Sequence, residues 1–110
     1  MNIMTLEGQR AVINYDPEID MFRGEFLGLS GAADFYATTI RSLRAEGKIS
    51  LRVYVQMCEE KGIGPFKFFS GKFNTRIDPE LHARAVELAA ANGISLNQFV
   101  ERAIQHEIAA

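Results

Sequence analysis

Apolar positions along the chain change period three times. Between residues 9 and 37 they alternate weakly with polar ones. Ala11, Ile13 and Tyr15 oppose Val12 and Asn14, and Phe22, Gly24 and Phe26 oppose Arg23, Glu25 and Leu27. A period of two indicates half-buried strands. The Asp16-Pro17 step between these runs favours a turn. Strands are therefore expected near residues 9–15, 21–29 and 30–37, forming a meander of three. From Ile40 the spacing lengthens to three and four through Leu43, Gly47, Leu51, Tyr54 and Cys58, which predicts an amphipathic helix. Thr38 or Thr39 can cap its start, and Gly62, Gly64 and Pro65 stop it. Gly47, inside the apolar stripe, marks either close contact with the sheet or a break in the helix.

The second half uses the same two periods in a different order of elements. Residues 72–77 alternate, with Lys72, Asn74 and Arg76 on one side and Phe73, Thr75 and Ile77 on the other. No hairpin partner follows. Asp78-Pro79-Glu80 instead supplies an N-cap, a first-turn proline and an acid at the positive end of a helix dipole. Leu81, Ala85 and Leu88 line that helix until Gly93 ends it, and Ser95 caps another that carries Leu96, Phe99, Val100, Ala103 and Ile104. These elements give an α+β chain divided into residues 1–65, a linker at 66–70, and residues 71–110. Phe66, Phe68 and Phe69 of the connector are expected to pack in a core.

A segment of about 40 residues buries too little apolar surface to stand alone, and a lone strand exposes an unpaired edge. Twofold pairing of two copies answers both needs. The strands join antiparallel, over a dimer core of Phe73, Ile77, Leu81, Leu88, Phe99, Val100 and Ile104. The resulting ribbon presents two sets of Lys72, Asn74 and Arg76, residue types that can read base edges in the DNA major groove. The start of the last helix, Ser95-Leu96-Asn97, suits a backbone phosphate.

Composition narrows the function. The 110 residues carry 12 basic and 14 acidic side chains, so any nucleic-acid contact depends on a local patch. In the last 40 residues Lys72, Arg76, Arg84 and Arg102 stand against five acids, which predicts modest binding per dimer. The single cysteine, Cys58, excludes an internal disulfide and reads as a buried hydrophobe. No run of about 18 apolar residues and no signal-peptide pattern is present, so a cytoplasmic location, without membrane association, is expected. His82 and His106 lack metal or triad spacing; no cofactor is expected.

Two resemblances add to this reading. The stretch GKFNTRIDPELHARAVELAAANGISLNQFVERAI resembles a ribbon-helix-helix domain of the Arc/MetJ type. That resemblance implies base reading by Lys72, Asn74 and Arg76 and phosphate clamping at Ser95, Leu96 and Asn97. Threonine at inward position 75 is smaller and more polar than the aliphatic residue expected there. Taken with NYDPEIDMFRGEFLGL and CEEKGIGP, nearly the whole chain is similar to the HicB family of antitoxins. The similarity implies a partial RNase H-like N-terminal domain that covers a HicA-type RNA-cleaving toxin, and a C-terminal domain that represses the operon. Asp16, Glu18, Asp20, Glu25 and Asp34 then become a candidate acidic toxin-binding patch. The similarity is to a degenerate form of the RNase H-like fold, and several of these acids sit in a turn. Metal-dependent nuclease activity is therefore not expected. A stand-alone repressor whose N-terminal domain binds a ligand or mediates assembly is the alternative.

Overall fold

The computed structural model describes residues 2–110. Among them lie four strands and three helices, in the order β1 (Ile3–Leu6), β2 (Gln9–Asp16), β3 (Met21–Phe26), β4 (Asp34–Ala37), α1 (Ile40–Lys61), α2 (Pro79–Ala91) and α3 (Leu96–Ala109). The chain is α+β and divides into two compact units, one ending at Ser70 and one spanning Gly71–Ala110. No helix among the described residues is long and apolar enough to cross a membrane.

The first unit is an antiparallel sheet in the order β1-β2-β3-β4. It has one strand more than the alternation predicts. β1 pairs with β2 through the two-residue turn Glu7-Gly8, whose φ angles of 48° and 82° are the doubly left-handed geometry of a tight hairpin. Register then fixes the faces. Ala11 lies opposite Phe26, Ile13 opposite Gly24, and Gly24 opposite Phe35. These residues, with Met4 and Leu6, form the face that α1 covers through Leu43, Gly47, Leu51, Tyr54 and Cys58.

Two glycines make that packing possible. A Cβ on Gly24 would lie 2.1 Å from the Phe35 ring, and one on Gly47 would lie 2.3 Å from Leu6 Cδ1 and 2.8 Å from the same ring. Phe35 is thus held between sheet and helix at two points where no side chain fits. Gly47 marks close approach, and α1 runs unbroken past it. Thr39 caps α1 by accepting from the Ser42 N–H, and Gly62, at φ 68°, closes it.

A hydrogen-bond relay fastens the loop after β3. The Gly31 N–H donates to the Tyr54 hydroxyl (2.7 Å), which lies 2.8 Å from Ser30 Oγ, and Ser30 Oγ donates to the Gly64 carbonyl (2.7 Å). Leu29 and Phe66 form an antiparallel bridge, and the Lys67 N–H donates to the Gly28 carbonyl. The start of the 66–70 stretch is therefore held against the first unit's own backbone. The expected core role of the connector phenylalanines is not met. Phe68 and Phe69 are 90% and 78% exposed, because the bridge ends at Phe66 and no strand continues beyond it.

Candidate DNA- and toxin-binding surfaces

In the second unit, caps set the helices. Asp78 Oδ1 accepts from the Glu80 and Leu81 N–H groups, ahead of Pro79 in the first turn of α2. Gly93, at φ 68°, makes the turn to α3. Ser95 and Gln98 form a reciprocal capping box, with each side chain bonded to the other's backbone N–H (3.0 and 2.9 Å). That box uses the Gln98 N–H and leaves those of Leu96 and Asn97 in the first turn, where a helix has no carbonyl to receive them. This is the end assigned to phosphate from the sequence.

Residues 72–77 are not part of the sheet, and the chain supplies them with no second strand among the described residues. Lys72, Asn74 and Arg76 are exposed, as are Phe73 (68%) and Ile77 (48%). The helices show the same lack of cover. Leu81, Leu88, Val100 and Ile104 are all exposed and Phe99 is half-buried; within this unit Ala89 alone is buried. A groove of about 730 Å³ runs between residues 71–75 and α3, with Phe73, Thr75, Val100 and Ile104 among its walls. The residues assigned to a dimer core thus form an apolar surface that one copy leaves open.

The five candidate toxin-binding acids do not form a single patch. Asp16 ends β2 and accepts from the Glu18 N–H in the turn, while Asp20, at φ 50°, accepts from the Tyr15 hydroxyl (2.5 Å). That bond to a carboxylate, reinforced by the Asp16 charge, raises the Tyr15 pKa above its ordinary value near 10. Glu25 and Asp34 lie opposite each other on β3 and β4, on the sheet face away from α1. Arg23 joins them there. Its guanidinium donates to Asp34 (2.5 Å) and lies 3.9 Å from Glu25. The turn group and the sheet group are separated by the length of β3, and an arginine offsets the second. The sequence shows Arg23 as the one cation between residues 16 and 34, but not that it pairs with Asp34. Among the described residues, no group of three histidines, cysteines or acids is placed to hold a metal ion.

One feature escaped sequence reading. α1 has a second apolar row, Ile49, Val53 and Met57, outside the face that packs on the sheet. The signal was present as a spacing of four repeated twice, but the stronger stripe toward the sheet masks it.

Comparison with known proteins places a family model on the join between the units. The HicB family model matches residues 54–104, from Tyr54 in α1 through the connector, α2 and most of α3. Searches of curated proteins and of solved structures returned no match.

Proposed function

We propose that this chain is an antitoxin of the HicB kind, in which the first unit binds and silences a HicA-type ribonuclease toxin. The second unit pairs with a second copy and binds operator DNA, so the protein also represses its own operon. The observation that carries this reading is the family match across residues 54–104. It takes in the end of α1, the connector and both C-terminal helices, rather than a DNA-binding segment alone. Antitoxins of this family are non-enzymatic, and the protein acts by covering a partner and occupying DNA.

The open apolar surface of the second unit supports the dimer. Antiparallel pairing of residues 72–77 from two copies would cover Phe73 and Ile77 and satisfy the backbone edge in one step. Lys72, Asn74 and Arg76 would then face outward in duplicate, with arginine suited to guanine and asparagine to adenine. The Leu96 and Asn97 N–H groups would hold a flanking phosphate. Arg76→Ala tests this assignment by footprinting of the operator. Loss of sequence-specific protection, with the dimer intact in sedimentation, is expected; an unchanged footprint refutes the strand-face reading. Co-expression with a HicA-type toxin gene tests the other half, and relief of growth arrest is the expected result.

A second reading is favoured by one cavity. About 490 Å³ opens at the α1 side of the first unit, among Ile3, Met4, Ile13, Phe22 and Ile40, with Arg44 at its wall. Its size and apolar lining suit a small ligand, as a stand-alone repressor would need. Failure to find any toxin partner, with operator binding retained, favours that reading.

A further inference from the structure

We infer that the toxin docks on the exposed ridge Ile49–Val53–Met57 of α1, an inference that rests on the antitoxin reading above. These side chains are 53%, 62% and 41% exposed. Four-residue spacing aligns them along about 12 Å of helix. Single apolar side chains are common on any surface, but three in one row form a contiguous patch. They contribute nothing to the buried core, which α1 reaches through Leu43, Gly47, Leu51, Tyr54 and Cys58.

Charge identifies the occupant. Glu46 and Glu60 continue the same row, one at each end of the ridge. The cations Arg41, Arg44, Lys48 and Arg52 follow a different line around the helix. Arg44 donates to the Thr5 carbonyl and Arg52 pairs with Glu7 (2.8 Å), which turns that line toward the β1 hairpin. Ser50, beside the ridge, reaches the Asp34 carbonyl of β4 (3.4 Å). The ridge therefore lies on the β4 side of the helix, bordered by acids. A protein that cleaves RNA must hold a polyanion and so carries a cationic face. An aliphatic ridge between two carboxylates complements such a face and would cover it. A second copy fits poorly: antiparallel α1 helices centred on Val53 would set Glu46 against the partner's Glu60. The outer sheet face also fits less well, since Arg23 already offsets Glu25 and Asp34.

The helix is also held ready. Gly47 is sunk against Leu6 and Phe35, and the Tyr54 hydroxyl is tied to the 30–31 loop, so the ridge needs little ordering on binding.

Val53→Lys is the test, made in the full chain and read by calorimetric titration with a catalytically inactive form of a HicA-type toxin. Val53 is exposed, so the change leaves the core intact, which circular dichroism checks. As the centre of the ridge, Val53 should behave as a hot spot, and its replacement by a cation should weaken toxin binding at least about 30-fold. Operator binding should be unchanged. Wild-type binding with less than about threefold loss in Val53→Lys overturns the ridge and leaves the antitoxin reading standing. No binding by the wild-type chain overturns both. A change of oligomeric state in Val53→Lys with toxin affinity intact assigns the ridge to a second copy and overturns the inference.

Discussion

Replacing Gly47 with alanine in the middle of α1 tests the account of the core, because helix propensity and packing predict opposite outcomes. On an open helix the change stabilises by about 1 kcal/mol. Here the new methyl would lie 2.3 Å from Leu6 Cδ1 and 2.8 Å from Phe35 Cε2. Leu6 is 1% exposed and Phe35 3%, so neither has free space to retreat into. Phe35 is further confined on its other side by Gly24. Overpacking a closed core costs about 1–3 kcal/mol, and two contacts this short belong at the upper end. The net expectation is destabilisation by about 2 kcal/mol. All three tyrosines (Tyr15, Tyr36 and Tyr54) lie in the first unit and the chain has no tryptophan, so tyrosine fluorescence in urea reports that unit by itself. With a slope near 1 kcal/mol per molar, the midpoint should fall by about 2 M. Leu6→Val retracts the nearer methyl and should reduce the cost of Gly47→Ala when the two are combined. A midpoint that stays put or rises would refute the packing argument and leave propensity as the winner.

Two further outcomes follow from the hydrogen bonds. Tyr54→Phe removes the acceptor of the Gly31 N–H and the partner of Ser30 Oγ. It should cost about 1–2 kcal/mol and speed hydrogen exchange at the Gly31 amide; an unchanged exchange rate would show that the relay does not hold the loop. Tyr15 should ionise above pH 10 in absorbance titration, and Asp20→Gly, which tolerates the positive φ, should bring it back toward 10. Because folding raises this pKa, the folded chain keeps the phenolic proton longer. The associated stability is complete below pH 10 and is lost as pH rises through the raised value. A Tyr15 titration that Asp20→Gly leaves in place would refute the assigned cause.

What could be read from sequence divides along local and distant causes. α1, α2 and α3 were legible because their determinants lie within a turn of each end. These are Thr39 and Gly62, Asp78 with Pro79, and Ser95 with Gln98. β1 was not, since three of its four residues are apolar and leave no alternation, and glutamate is an unusual first residue for its turn. The candidate DNA-binding residues were legible as an alternating run. Whether they pair with a second copy is not written in one chain, where no strand of the sheet lies beside residues 73–77. The five candidate acids looked like one patch because sequence distance hides the length of β3 and the reach of Arg23 to Asp34. The ridge on α1 was overlooked because a helix with one strong apolar face draws attention from a second.

The near-absence of a core in the second unit has a consequence for dosage. On the dimer reading, its folding is a meeting of two chains, and each tenfold fall in their number removes about 1.4 kcal/mol of its stability. Scarce protein would then lose its grip on DNA well before it lost the sheet and α1, whose interior is complete in a single copy. Under the proposed autorepression, a cell that ran low on this chain would reopen transcription while each surviving molecule still carried an intact first unit.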